Sequence, residues 1–190
     1  MRVSIFDHME QCTEEEVRRM LPLVSAQRRE QALRYKHTLG QFCSLKSWLM
    51  LIGLEDERIR GLEGEWKYNE HGKPYIEGGP YFSISHCKEG IAVAIDDQPI
   101  GIDIEAIRHA DQDLIARTMN EQEQKQIHND RDFTRLWTQK EAILKMKGTG
   151  IQSFEQVQNI LDIEHWVLET IEKEKYIYTI AYGKLHCFSA

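Results

Sequence analysis

The sequence predicts an α+β fold, and three observations lead to that class. Residues 81–105 contain three short apolar or alternating runs with short connections, which are typical of β-strands. Segments 38–52 and 133–146 place apolar residues at helical spacing. Residues 166–189 alternate again. Strands and helices thus occur in separate groups, which favours α+β over a strictly alternating α/β fold.

Composition and charge narrow the class of protein further. The 190 residues, 41% of them hydrophobic, suffice for one sizeable domain or two small halves packed together. There is no apolar run long enough to span a bilayer and no signal-peptide core near the start, so we expect a cytoplasmic protein without a membrane segment. The net charge of −7 argues against a general nucleic-acid binder. Four cysteines without a C-x-x-C pair indicate reduced thiols, and the histidines lack metal-type spacing.

The N-terminal region predicts one strand followed by helices. Met1–Asp7 is typical of a first strand. Thr13–Glu16 has the pattern of a capping box and predicts a short helix to about residue 20, which Pro22 interrupts. A second capping box at Thr38 and Gln41 predicts a core helix that carries Phe42, Leu45, Leu49 and Ile52 on one side.

Between these two helices we predict another, from about Ser25 to Lys36. It carries a basic cluster of Arg28, Arg29 and Arg34. Such a cluster is either a solvated helix face or a phosphate clamp, and the pattern alone favours the solvated face.

The middle of the chain predicts short strands in antiparallel order. Residues 66–68 and 74–76 flank a turn at Asn69–Gly72, between glycine-rich loops at 61–64 and 78–80. Lys73 precedes Pro74 and is therefore extended, either as a directed ammonium or as an ordinary loop lysine. Strands 81–85, 91–95 and 100–105 have short connections, which predict an antiparallel meander. Ser85 and His86, at the end of the first, are phosphate donors by chemistry but also common turn residues.

After Pro99 the chain predicts helices followed by strands, without an exact internal repeat. A helix start at Asn120 precedes the helix at 133–146, on which Trp137, Glu141 and Lys145 share one face. Glu141 and Lys145 are compatible with an ordinary surface ion pair. Segments 166–171, 176–182 and 185–189 then predict strands. We place the boundary between two halves at Pro99, which gives residues 1–98 and 99–190.

The run Ile100–Glu105 stands out because its alternation separates two faces. The three isoleucines form a core face, whereas Asp103 and Glu105 lie on the other side about 7 Å apart. Two carboxylates this close raise each other's pKa unless a cation lies between them. The pattern therefore predicts a site for Mg²⁺ completed by a phosphate substrate, the alternative being the solvated face of an amphipathic strand.

Three stretches together resemble a known family. Phe82–His86, Gly101–Glu105 and Trp137–Lys145 follow one another in the order and spacing of the signature of 4′-phosphopantetheinyl transferases of the surfactin-synthetase-activating (Sfp) type. The second stretch matches G-[IV]-D-[IVL]-E and the third matches W-x-x-K-E-[AS]-x-x-K. The resemblance spans the central two-thirds of the chain.

The resemblance implies a fold and a reaction. The fold would consist of two similar α+β halves related by a pseudo-twofold axis, with coenzyme A in the cleft between them. The reaction would transfer 4′-phosphopantetheine from coenzyme A to a serine of an apo acyl or peptidyl carrier protein, with release of adenosine 3′,5′-bisphosphate. The resemblance also implies dependence on Mg²⁺. Two halves in one chain lead us to expect a monomer. From the net charge and the lack of an apolar span we expect binding to neither nucleic acid nor membrane.

The resemblance further assigns roles to individual residues. Asp103, Glu105 and Glu141 fall on the Mg²⁺ ligands, and Lys145 on a lysine that contacts the pyrophosphate. Catalytic roles fall to Asp103, Glu141 and Lys145, with Glu141 as the expected base and Lys145 as the rival. The residues that would contact coenzyme A are Arg28, Ser44, Lys73, Pro74, Ser85, His86, Asp103 and Lys145.

One departure from the family pattern and two rival functions stay open. Gln31 occupies a position that is usually basic, so binding of the 3′-phosphate depends on whether Arg29 or Arg34 compensates. The rivals are a non-catalytic binding module for coenzyme A or a carrier protein, and a Mg²⁺-dependent nucleotide phosphohydrolase.

Overall fold

The structure is a computed structural model that describes residues 1–54, 66–162 and 166–183. Its helices are α1 (Glu14–Met20), α2 (Ala26–Leu33), α3 (Thr38–Gly53), α4 (Gln112–Thr118), α5 (Glu121–Gln124), α6 (Asp130–Lys147) and α7 (Phe154–Asn159). Its strands are β1 (Arg2–Phe6), β2 (Trp66–Tyr68), β3 (Pro74–Ile76), β4 (Tyr81–Cys87), β5 (Gly90–Asp96), β6 (Ile100–Ala106), β7 (Trp166–Glu172) and β8 (Tyr176–Gly183). Short 3-10 turns lie at Met9–Gln11, Leu21–Leu23 and Ile160–Asp162. The predicted α+β class is confirmed.

Two three-stranded antiparallel sheets form the centre of the molecule. The first has the order β1-β5-β4 and the second the order β6-β8-β7. In each sheet the last strand in sequence lies in the middle, the first lies on one side and the penultimate strand on the other. The two regions therefore share one topology, although the division at residues 98 and 99 stays a prediction.

The layers are helix, sheet, sheet and helix. Helices α1 to α3 cover the outer face of the first sheet with a cluster that includes Phe42, Leu45 and Trp48. The inner face of that sheet packs through Ala92 and Ala94 on the isoleucines of β6. Helix α6 covers the far side of the second sheet. The predicted core face of β6 is thus buried between the two sheets.

Local signals placed most helix boundaries correctly. Thr13 caps α1 by accepting from the backbone N–H of Glu16, and Asn120 and Glu123 form a reciprocal capping box on α5. Helix α6 ends at Gly148, whose φ of 71° lies in the left-handed region.

Two predictions of local structure are wrong, and one lies outside the described residues. Strand β6 does not continue a meander from β5, because β5 already pairs with β1 on one edge and β4 on the other. The N-cap of α3 is His37 without a side-chain bond, and Gln41 donates to the carbonyl of Tyr35 instead of forming a box with Thr38. The strand predicted at 185–189 and the loop at 61–64 lie outside the described residues.

Candidate active site

The candidate site lies where the edge strands of the two sheets meet. Strands β4 and β6 lie side by side without a backbone ladder between them. The backbone N–H of Ile102 donates instead to the hydroxyl of Ser83, at 3.0 Å. Because side chains alternate along β4, Ser85 points to the same side and reaches the next polar residue of β6, Asp103.

Helix α6 reaches this seam because Gly101 has no side chain. A Cβ atom at position 101 would lie 1.9 Å from the carbonyl oxygen of Ala142 and 2.5 Å from the backbone nitrogen of Met146. The backbones of β6 and α6 therefore touch. This contact places Glu141, which precedes Ala142, and Lys145, which precedes Met146, beside the carboxylates of the strand.

Three side chains from three elements form the centre of the site. The Lys145 ammonium donates to Asp103 Oδ1 at 2.6 Å and to Ser85 Oγ at 2.7 Å. The Ser85 hydroxyl in turn donates to Asp103 Oδ1 at 2.8 Å. Asp103 is almost fully buried, with 3% of its side chain exposed, and is not part of a solvated strand face.

The second oxygen of Asp103 is open to a further partner. Asp103 Oδ2 is buried and has no hydrogen-bond partner among the described residues. A buried carboxylate oxygen without a donor is costly. The site is therefore chemically suited to a cation that would approach Oδ2.

The pKa values of Glu141 and Glu105 are raised by the same surroundings. Burial and then the Asp103 carboxylate raise the pKa of Glu141 to about 7. The same two causes raise the pKa of Glu105, which also accepts a hydrogen bond from the Trp137 indole at 3.3 Å. The three acids, which come from two distant parts of the sequence, thus influence one another electrostatically.

The magnesium ligands themselves stay a prediction. Within residues 1–54, 66–162 and 166–183, no three His, Cys, Asp or Glu side chains are arranged to hold a metal ion. In this structure Asp103 Oδ1 accepts from the Lys145 ammonium. The donor set of Asp103, Glu105 and Glu141 nevertheless fits Mg²⁺, because carboxylate oxygens are its preferred protein ligands and a dication would relieve their mutual repulsion.

A cavity of about 270 Å³ opens beside the charged centre. One wall comes from the β2–β3 turn and includes Lys73 and Pro74, and the opposite wall comes from the C-terminal half of α6. Residues 82–84 of β4 line the cavity between the walls. Lys73 donates to the carbonyls of Ile100 and Met146, and burial lowers its pKa to about 8. Lys73 is a fixed ammonium rather than an ordinary loop lysine.

The remaining predicted residues lie on β4 and on the two helices α2 and α3 of the first region. His86 follows Ser85 at the end of β4, and burial and then Lys145 lower its pKa. Arg28 lies on α2 with its guanidinium 5.0 Å from the centre of the Trp48 ring. Ser44 lies on α3, the helix that carries Trp48. Contacts of these three residues with coenzyme A stay predictions.

Gln31, Arg29 and Arg34, the residues on which compensation at the usually basic position depends, each have partners in this structure. Gln31 donates to the Tyr68 hydroxyl at 2.6 Å and so links α2 to the β2–β3 hairpin. Arg29 donates to two backbone carbonyls that precede its own helix, and Arg34 pairs with Glu30 on the surface. Compensation by Arg29 or Arg34 stays a prediction.

Sequence reasoning missed two features of the site. Arg108 is exposed and lowers the pKa of both Glu105 and Glu141, so it adds a second cation beside Lys145. Its position three residues after Glu105 was the available signal. Lys140, by contrast, does not point at the carboxylates of the candidate site. It is fully buried and pairs with Glu123 at 2.7 Å.

Comparison with known proteins identifies the family. Residues 99–183 match the model of the 4′-phosphopantetheinyl transferase superfamily. AcpT of Escherichia coli O157:H7, a 4′-phosphopantetheinyl transferase, is 32% identical over 72% of this chain and 87% of its own length. The chain therefore belongs to the 4′-phosphopantetheinyl transferase family, which confirms the resemblance found in the sequence.

Further relatives come from bacilli. A 4′-phosphopantetheinyl transferase of Bacillus subtilis is 34% identical over 70% of this chain and 64% of its own length. Sfp of Bacillus subtilis strain 168 is 28% identical over 73% of this chain and 66% of its own length. The chain thus spans about two thirds or less of these relatives. In the part of the chain that the structure describes, no helix combines the length and apolarity needed to cross a membrane.

Proposed function

We propose that this protein transfers 4′-phosphopantetheine from coenzyme A to a serine of an apo acyl or peptidyl carrier protein, in a Mg²⁺-dependent reaction. The observation that supports it is the meeting of Asp103, Glu141 and Lys145 from two distant segments beside a cavity of about 270 Å³. Acids, a lysine and an adjoining pocket are the groups that transfer of a phosphoryl group requires.

The reaction joins the carrier serine oxygen to the phosphorus that bears pantetheine. The bond from that phosphorus to the bridging oxygen breaks, and adenosine 3′,5′-bisphosphate leaves. Mg²⁺ held by Asp103, Glu105 and Glu141 would supply neutralisation of charge on the pyrophosphate. Lys145 would turn from Asp103 to the pyrophosphate oxygens. Ser85, which is hydrogen-bonded to Lys145 and to Asp103, would keep Asp103 in place.

The serine proton needs an acceptor near the reacting atoms. Glu141 suits this role because its pKa of about 7 lies near the pH at which a general base is most effective. Lys145 is the rival acceptor, and in this structure it donates hydrogen bonds to Asp103 and Ser85.

The decisive experiment is intact-mass analysis of several apo carrier proteins incubated with this protein, coenzyme A and Mg²⁺. We expect a mass increase of one phosphopantetheine group, loss of the increase when Mg²⁺ is chelated, and loss in Asp103→Asn. The matched control is Asp113→Asn on the exposed start of α4, which keeps the activity. Carriers from fatty-acid, polyketide and nonribosomal-peptide systems all belong in the panel, because the choice among them is open.

The same assay separates the two rival functions. A binding module for coenzyme A or a carrier protein leaves every carrier mass and the coenzyme unchanged. A nucleotide phosphohydrolase consumes coenzyme A without any carrier. Kinetics add a further check: Arg28→Ala should raise the KM for coenzyme A and keep kcat, since a peripheral phosphate contact contributes equally to ground and transition states.

The proposal extends to the setting of the protein. We propose that it acts in the cytoplasm, where coenzyme A and carrier proteins are found together. We also propose a monomer, since the paired sheets already form the seam at which the site lies. Size-exclusion chromatography with light scattering tests the monomer.

A further inference from the structure

One side chain of the β2–β3 turn bonds in two directions. Asn69 Oδ1 accepts from the backbone N–H groups of His71 at 3.0 Å and Lys73 at 2.8 Å, which shapes the turn. Asn69 Nδ2 donates to the carbonyl oxygen of Gly148 at 2.7 Å, 79 residues further along the chain. The residue that builds the turn therefore also attaches it to the end of α6.

The partner of Asn69 is an orphan carbonyl at a helix C-terminus. The last carbonyls of a helix lack partners within the helix and attract donors and cations. Asn69 satisfies Gly148, and the Lys73 ammonium satisfies Met146 at 3.2 Å. A Cβ atom at Gly148 would lie 3.1 Å from Asn69 Nδ2, so the turn and the helix end are packed closely.

This attachment joins the two walls of the cavity described above. The turn contributes His71, Gly72, Lys73 and Pro74 to one wall, and α6 with its C-cap contributes Leu144, Lys145 and Gly148 to the other. At the rim, His71 and Gln152 approach each other to 3.4 Å. The Asn69 bond crosses from one wall to the other and thus sets the distance between them.

We propose that Asn69 is a positioning residue that fixes the width of this cavity and thereby the affinity for the nucleotide part of coenzyme A. The inference rests on the proposed function for the identity of the ligand. The cavity suits a flat base joined to phosphates, because its walls carry Pro74 and Leu144 while Lys145 lies at its charged end. Asn69 itself touches no reacting atom and acts through the position of the wall.

Two substitutions separate the bond to Gly148 from the shape of the turn. Asn69→Ser and Asn69→Asp both keep an acceptor oxygen for the turn. Both lose the bond to Gly148, because a carboxylate has no N–H and the serine hydroxyl ends one bond short of the Nδ2 position. They differ in charge, so a common effect belongs to the lost bond and a difference belongs to repulsion of phosphates. Glu70→Gln, on the exposed next position of the turn, is the matched control.

The main measurement is calorimetric binding of adenosine 3′,5′-bisphosphate, with inorganic pyrophosphate as the probe that does not fill the cavity. We expect both Asn69 variants to bind the nucleotide roughly 3- to 10-fold more weakly, the range of one net hydrogen bond. The affinity of the two Asn69 variants for pyrophosphate stays at the wild-type value. The melting temperature of the control Glu70→Gln also stays at the wild-type value. In turnover, the KM for coenzyme A rises while kcat and the KM for the carrier change less than about twofold.

Three outcomes overturn the inference. One is unchanged nucleotide affinity in both variants, and another is equal weakening of nucleotide and pyrophosphate, which would indicate general loss of structure. The third is a wild-type protein that binds no nucleotide at all. A wild-type protein that binds the nucleotide but modifies no carrier would refute the proposed transfer reaction alone, since the binding test of Asn69 needs no turnover.

Discussion

The two sheets have the same topology but differently composed surroundings. Around the first sheet, α3 buries the aromatic and aliphatic side chains of Phe42, Leu45, Trp48 and Leu51. Around the second, α6 buries Thr138 and Lys140 besides its apolar residues, and Thr138 bonds to Thr179 of β8 at 3.0 Å. Among the described residues, the buried charged side chains Asp103, Glu123 and Lys140 all belong to the second region.

The difference shows which region accommodates buried charge. An apolar interior stabilises without regard to the exact position of polar groups, whereas a buried charge is tolerated only where partners are placed for it. The first region supplies Ser83 and Ser85, together with His86 and the cavity-lining Lys73. The second carries Asp103, Glu105 and Glu141 with Lys140 and Lys145, at a cost in stability that its hydrogen-bond networks offset. The predictions below test this division of roles, from the largest expected effect to the smallest.

The backbone contact between Gly101 of β6 and α6 should tolerate substitution least. Gly101→Ala forces a Cβ atom into the backbone of α6, and we expect a loss of about 5 kcal/mol or more, comparable with the whole stability of a small domain. Gly53→Ala at the end of α3 is the matched control. No described residue lies within 4 Å of a Cβ atom there, so a change between zero and a gain of about 1 kcal/mol is expected. Urea unfolding measures both, and similar values for the two variants would contradict the difference.

The buried ion pair of the second region should matter far more than a surface pair of the first. Lys140→Met leaves Glu123 buried without its cation and should cost about 3–5 kcal/mol. Arg34→Ala breaks an exposed pair with Glu30 and should cost less than about 0.5 kcal/mol. The double variant Lys140→Met/Glu123→Leu should recover much of the loss in urea unfolding; no recovery would show that packing rather than charge determines the effect.

Glu141 should give the metal-free protein a distinctive dependence on pH. Its folded pKa of about 7 exceeds the ordinary value of 4.5, so the folded state holds an extra proton between these limits. This stabilising contribution is complete below about pH 4.5 and is lost as pH rises through 7, by up to roughly 3 kcal/mol. Glu141→Gln removes that loss. The melting temperature of the wild type minus that of the variant should therefore fall as pH rises. A flat difference between pH 4.5 and 8 would argue against a raised pKa.

The smallest expected effect concerns the competition between Lys145 and a metal for Asp103. Removing the ammonium in Lys145→Met frees Asp103 Oδ1, so Mg²⁺ without coenzyme A should bind roughly tenfold more tightly, equivalent to 1.4 kcal/mol. Coenzyme A should bind more weakly in the same variant, because the pyrophosphate loses its lysine. Calorimetry at one pH measures both, and weaker binding of Mg²⁺ alone would show that Lys145 is not a competitor.

Much of the fold could be predicted because its signals are local. The helical spacing at 133–146 lies within the observed α6, and the alternation of 100–105 identified both a strand and its buried face. Strand pairing failed where it depended on distant partners. The three-residue connection after β5 shows that β6 begins nearby, but only the pairing of β1, 90 residues earlier, shows that β5 has no free edge.

The site was predicted from the resemblance, and its supporting contacts were not. Nothing local in the sequence indicates that Asn69 reaches Gly148, or that Ser83 accepts from Ile102, because each bond joins segments whose approach depends on the whole fold. Lys140 shows the converse. It precedes Glu141 in the same motif, yet a helix turns neighbouring side chains about 100° apart, so one faces the seam and the other the interior.

The hydrogen-bonded cluster of Lys145, Ser85 and Asp103 is assembled in stages as the polypeptide is synthesised. Its members leave the ribosome at different times: the serine first, the aspartate 18 residues later, and the lysine only after a further 42. Until residue 145 has emerged, the growing polypeptide carries the acids of β6 without their ammonium and without the helix that buries them. The cluster therefore forms only late in synthesis, and a truncated product that stops before this lysine lacks the hydrogen bonds from the ammonium to Ser85 and Asp103.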